Sequence, residues 1–201
     1  MNKDKKDYLG YLASFYWLPI LIGILLLALG IHFYQESKRQ EDIALYVSFY
    51  DCSSSLTEEE LSWDFQDYLG SKENISFYTT GLLSDAPKGS YGMASLSRFY
   101  ADAAAGQVDV VGLGEEEFSS FASTGCFLPL SSFLGEDWWI EHSQECFFQE
   151  GEAIGIYVTA LPALARLGLY EEAPSSVIGL MKDSKRLPMA GAYLSYLARE
   201  K

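Results

Sequence analysis

Residues Tyr8 to Tyr34 run for 27 positions without a formal charge, and short apolar and polar blocks alternate after them. A bilayer core about 30 Å thick takes roughly 20 apolar residues in a helix, so the run predicts a transmembrane helix over residues 8–34 behind a short tail at 1–7. Its centre carries Leu18, Ile20, Leu21, Ile22, Ile24, Leu25, Leu26, Leu27 and Leu29. Tyr8, Tyr11, Phe15, Tyr16 and Trp17 precede that centre, and Phe33 and Tyr34 follow it. Amphipathic rings favour the headgroup boundary, so these groups read as two interfacial belts. Pro19 either kinks the helix or marks the start of its most apolar part. Ala28-Leu29-Gly30 loosely resembles a signal-peptidase site, but the run is long for a signal sequence, and an uncleaved anchor is the preferred reading. Lys3, Lys5 and Lys6 before the span outnumber Lys38 and Arg39 after it, which favours a cytoplasmic N-terminus and an outer C-terminal domain. Residues 35–42 are wholly polar and read as a connector.

From residue 43 the pattern is that of an α/β domain over 43–201. Ile43 to Tyr50 is rich in β-formers and ends at Asp51, Cys52 and three serines, which predicts a strand. Thr57 with Glu60 is a capping box, and the helix behind it places Leu61, Phe65, Tyr68 and Leu69 on one face before Gly70 ends it. Asn74 to Thr79 reads as a second strand, and residues 81–92 as a Gly- and Ser-rich loop. A helix from Met93 to Ala105 turns Met93, Leu96, Tyr100 and Ala103 inward. Val108 to Leu113 is a third strand, and Glu115-Glu116-Glu117 opens the next helix, where acidic groups suit the dipole; Phe118 and Phe121 face inward. Ala153 to Val158 and Val177 to Met181 are further strands, Pro162 starts a helix, and Met189 to Arg199 is a helix with Ala190, Tyr193, Leu194 and Leu197 inward. Strand–helix alternation with short connections predicts a mostly parallel sheet flanked by helices.

Charge narrows the functional classes. Residues 41–201 hold 25 acidic and 9 basic side chains, a net of −16 against −14 for the whole chain. Such a field repels nucleic acid and anionic headgroups, so no nucleic-acid partner is expected. Three cysteines exclude a fully paired framework; if one bridge forms in an outer domain, Cys126 with Cys146 is the pairing the sequence favours, and otherwise all three are small buried residues. The two histidines, His32 and His142, fall in the span and in Glu141-His142-x-x-Glu145-Cys146. That cluster has metal-ligand spacing on a helix, yet without a second cluster it reads as a solvated face. No nucleophile–base pair or phosphate loop is present, and the three glutamates after Gly112-Leu113-Gly114 would repel a phosphate there. The chain is read as non-enzymatic, with no cofactor and no metal.

In open α/β sheets ligands bind beyond the carboxyl ends of the strands. The residues at those positions are Tyr50 and Asp51, Thr79 and Thr80, and Gly112 and Gly114. Trp138 and Trp139, in an aromatic and acidic stretch, either stack on a ligand, face a partner or cover the core.

The order of three stretches resembles the extracellular solute-binding proteins of ABC importers. They are Tyr100–Leu134 (YADAAAGQVDVVGLGEEEFSSFASTGCFLPLSSFL), Gly151–Leu169 (GEAIGIYVTALPALARLGL) and Val177–Leu197 (VIGLMKDSKRLPMAGAYLSYL). An anchor followed by such a domain also resembles uncharacterised membrane proteins of Gram-positive anaerobes. The resemblance implies one periplasmic-binding-protein-like lobe, with room for only a short stretch between Leu134 and Gly151 where a second lobe would be inserted. Closure of two lobes over a solute is then not available within one chain. The resulting expectation is a membrane-anchored interaction module acting on an envelope or transporter partner; the alternative is small-solute capture for an ABC-type importer.

Overall fold

The computed structural model describes residues 17–35, 43–52, 56–81 and 90–199. It divides into two units, Met1–Asp42 and Ile43–Lys201. In the first, helix α1 (Trp17–Gln35) has 19 residues, roughly 28 Å of rise. By length and composition it is able to cross a membrane, and none of its apolar window is buried. Pro19 lies in its first described turn. The tail, the belt residues Tyr8, Tyr11, Phe15 and Tyr16, and connector residues 36–42 lie outside the described residues.

The second unit is a six-stranded sheet between two layers of helices. In chain order it comprises β1 (Leu45–Tyr50), α2 (Glu58–Leu69), β2 (Ile75–Gly81), α3 (Ser90–Ala104), β3 (Val110–Leu113), α4 (Glu115–Ala122) and α5 (Glu136–His142). Then come β4 (Cys146–Gln149), β5 (Glu152–Tyr157), α6 (Pro162–Arg166), β6 (Val177–Leu180) and α7 (Leu187–Leu197). The spatial order is β2-β1-β3-β6-β5-β4.

The sheet is mixed, which corrects the expectation of a mostly parallel one. β1 runs parallel to β2 and β3, whereas β3–β6, β6–β5 and β5–β4 are antiparallel. For β4 and β5 the cause lies in the connection. A parallel return needs a crossover of a dozen or more residues, but β4 and β5 are joined by Glu150-Gly151 alone, both at positive φ (52° and 86°). That is the backbone a two-residue hairpin turn requires. β4 itself, between α5 and this turn, is a strand the sequence reading did not anticipate.

Period-2 alternation sends Leu45, Val47 and Phe49 to a core shared with α2, α6 and α7, and Tyr50, Val111 and Leu113 to one shared with α3 and α4. The capping box forms: the Glu60 N–H donates to Thr57 Oγ1 (3.3 Å), and the Thr57 N–H to Glu60 Oε2 (2.8 Å). Gly70 ends α2 at φ 67°. On α4, the Phe118 ring lies over the two sheet glycines Gly155 and Gly179, where a Cβ would come within 2.7 Å of it, and stacks on Phe127 at 4.2 Å. Of the expected inward face of α3, Leu96 and Ala103 pack against the core, whereas Tyr100 is 57 % exposed and its neighbour Phe99 is buried instead; Gly92 and Ser95 are buried as well. Met93's side chain lies outside the described residues. Cys52, Cys126 and Cys146 are free thiols, so Cys126 and Cys146 are not bridged; their Sγ atoms donate to Phe121 O and His142 O.

At the amino ends of β1 and β3 a buried charge holds three segments together. The Asp109 carboxylate is fully buried and accepts from the Tyr46 N–H (2.7 Å) and from Ser184 Oγ (2.6 Å). Arg186 Nε stands 2.8 Å from it as a charge contact rather than an aligned hydrogen bond. The same guanidinium donates to the carbonyls of Ile43 (3.3 Å) and Gln107.

Candidate functional site

The carboxyl ends of β1, β2 and β3 come together at one edge, and a side chain from the β5–β6 connection fills the space between them. Tyr170 sits in the left-handed region at φ 62° and is buried; for a bulky residue this is a strained backbone. Its ring meets Phe49 edge-on at 5.7 Å. Its hydroxyl rests against the bare Cα of Gly112, where an added Cβ would meet it within 2.2 Å. It also lies beside the Cys52 thiol, without reaching an aligned hydrogen bond. Burial first, then the neighbouring thiol, pushes the Tyr170 phenol well above its usual range. The sequence signal for this arrangement was Gly112 itself, a glycine inside an apolar strand.

Around this plug the expected site residues separate. Tyr50 is fully buried, edge-on to Tyr78 and Phe99 at 5.5 Å each, and burial raises its phenol. Asp51 is half-buried with φ 53°, a second strained position at the same edge. Cys52 Sγ donates to Phe49 O and Thr79 O, both at 3.7 Å. Burial, and then the Asp51 charge, push this thiol up to about 12. Thr79 is half-buried; Thr80 belongs to β2, and its side chain lies outside the described residues.

Gly114 precedes α4 and is covered by the chain's own carboxylate. A Cβ there would stand 2.6 Å from Glu117 Oε2. Glu115 accepts from the Tyr157 hydroxyl at 3.0 Å; burial, and then this bond to a carboxylate, raise that phenol. Glu115, Glu116 and Glu117 border an open depression of about 640 Å³ with Ser119, Phe147 and Ser175. An anion is disfavoured there by direct charge repulsion.

Trp138 and Trp139 lie on α5 and are partly buried against the core shared by α2, α6 and α7. Trp139 Nε1 donates to Leu134 O (3.1 Å), and Trp138 stacks on His142 at 4.5 Å. His142 Nδ1 lies 3.1 Å from Trp138 O. Among the described residues no group of three His, Cys, Asp or Glu side chains gathers as a metal site.

No family model, curated protein or solved structure matches this chain. What the arrangement can do chemically is read from its own geometry. Among the described strand-end residues, Tyr50, Cys52 and Tyr170 are buried, Asp51 and Thr79 are half-buried, and the Asp51 carboxylate lies beside the Cys52 thiol.

Proposed function

We propose that the chain is a membrane-anchored, non-enzymatic interaction module, held by α1 and presenting the domain of residues 43–201 at the outer face of the cytoplasmic membrane. The observation that carries this reading is the filled strand-end edge. Tyr170 occupies the space at Gly112, and Glu117 covers Gly114, while large apolar side chains stand in solvent elsewhere: Trp63 at 73 %, Ile140 at 72 % and Phe148 at 51 %. In this reading such side chains supply apolar contact area to a protein partner. We further propose that the domain corresponds to one periplasmic-binding-protein-like lobe, a reading supported by the motif order and by a helix-flanked α/β sheet. Tethering raises the local concentration of a weak binder beside its membrane partners.

Membrane crosslinking of the full chain, followed by pull-down, tests this function. A discrete crosslinked envelope or transporter protein is the expected result, and recovery of the monomer alone counts against it. Protease added outside intact cells should digest residues 43–201 and spare the N-terminal tail; the reverse pattern would overturn the orientation. The competing role, small-solute capture for an importer, would place a ligand against Asp51, Thr79 and Gly114. Stabilisation of the domain by a sugar, peptide or amino acid in a thermal-shift screen would favour it.

A further inference from the structure

β4 closes one side of the sheet, and among the described residues no strand covers its outer edge. Sheet edges present rows of unpaired N–H and C=O groups, and proteins blunt them with proline, lysine, bulges or flanking charge. The β4 sequence, Cys-Phe-Phe-Gln, contains neither proline nor lysine. Its protection is a bulge between Phe147 and Phe148 and the carboxylates around it: Glu145 leads into the strand, and Glu150 and Glu152 follow it. Phe148 stands half in solvent beside this edge. Flanking negative charge on a domain whose residues 43–201 carry a net of −14 repels a second copy of the same edge, but it attracts a cationic strand.

We propose that the free edge of β4 is a docking strand for an extended, lysine- or arginine-bearing segment of a membrane partner, which adds to the sheet and lays an apolar side chain on Phe148. This rests on the interaction-module reading and names the surface through which it acts. Main-chain hydrogen bonds supply the affinity in this mode, and alternate side chains supply the selectivity. A four-residue strand offers few such bonds, so the contact is weak alone and sensitive to salt.

The test uses the full chain in neutral phosphatidylcholine nanodiscs and an octapeptide of alternating lysine and valine as the probe. Amide exchange across Cys146–Gln149 is followed by mass spectrometry. The expected result is exchange slowed roughly tenfold by the peptide, with the protection lost in high salt. A glutamate–valine octapeptide and a lysine–valine peptide interrupted by proline should give no protection. Phe148→Pro should abolish it. Gln149 and Glu152 flank a two-residue turn as a hydrogen-bonded pair, so the Phe148 N–H points away from β5, and the hairpin tolerates the change. Unaltered β4 exchange with the probe, or equal protection by the interrupted peptide, overturns the proposal. A crosslinked partner recovered equally from wild type and Phe148→Pro would leave the module reading standing and remove this one.

Discussion

Replacing Asp109 by asparagine keeps its shape and removes its charge, and the surroundings set the size of the effect. The carboxylate is fully buried, with Arg186 Nε at 2.8 Å and neutral donors from Tyr46 and Ser184. Removing one partner of a buried ion pair costs about 3–5 kcal/mol, because the other charge is left uncompensated. The Arg186 side chain keeps 20 % exposure, so its charge retains some water; Asp109→Asn then falls at the lower end, about 3 kcal/mol. Arg186→Met strands a carboxylate with 0 % exposure and two neutral donors, and belongs nearer the upper end, about 4–5 kcal/mol. Ser184→Ala removes one hydroxyl donor and costs about 1–2 kcal/mol. Combining Asp109→Asn with Arg186→Met removes both charges, so the double variant loses less than the two singles together, with a coupling of about 2 kcal/mol or more. Urea unfolding of residues 43–201, followed by emission of Trp63, Trp138 and Trp139, measures all four. At a slope of about 2 kcal/mol per molar urea, Asp109→Asn should lower the midpoint by about 1.5 M. Equal losses for Ser184→Ala and Asp109→Asn, or strict additivity in the double variant, would refute the assignment of this cluster as an ion-pair clip.

Three further outcomes follow from local geometry. Gly112→Ala should destabilise the domain by about 1–3 kcal/mol through overpacking, and adding Tyr170→Phe should recover part of it, because the nearest obstacle is the Tyr170 hydroxyl; no recovery in thermal melts would mean that the backbone rather than that contact is limiting. Glu60 is held below the usual carboxylate range by its bonds to Thr57, so its capping contribution is present above the unfolded-state pKa and is lost as pH falls through the lower folded value; Thr57→Ala should therefore narrow its deficit relative to wild type on acidification, and a deficit constant from neutral to acid pH would contradict this. Cys52 is pushed up to about 12 and Cys146 up to about 11, so the folded state holds protons that the unfolded state releases, and stability should fall as pH rises from about 9 toward 12; equal urea midpoints at pH 8 and above 10 would argue against buried thiols, as would faster labelling of Cys52 than of the half-buried Cys126.

Much of the helical layer was legible because its signals are local. Thr57 and Glu60 sit three residues apart, Gly70 and Pro162 punctuate by conformation, and Ala190, Tyr193, Leu194 and Leu197 repeat at helical spacing and are all buried. Strand direction has no such signature. The residues of β6 are apolar on both faces whichever way it runs, and its orientation depends on how the connection through α6 returns to the sheet, which periodicity does not encode. β4 was hidden because two phenylalanines between glutamates read equally as a loop or a partner-facing patch. Among the described side chains of α3 only Tyr100 was misplaced, because Phe99 beside it takes the buried position and Ser95 is buried against the rule that polar residues face water. Tyr170 and Arg186 act through contacts 58 and 77 positions away, at Gly112 and Asp109, so neither role is visible in its own neighbourhood. The strand-end residues show the same limit: their place at the edge follows from topology, but that a neighbouring ring closes it does not.

The position of β6 has a consequence for biosynthesis. It lies between β3 and β5 in space yet is the last of the described strands in sequence, and Asp109 meets its counter-charge only at Arg186. While the chain is still being made, β2-β1-β3 and β5-β4 can form only as two separate ribbons, each with a raw inner border and one holding an acid whose counter-charge has yet to arrive. Until the closing strand arrives, such a nascent chain offers two sticky margins to chaperones, proteases or its own neighbours. Slowing delivery of residues 177–199, which carry β6 and α7, should therefore harm yield far more than slowing residues 43–81, a vectorial vulnerability set by strand order rather than by the stability of the finished domain.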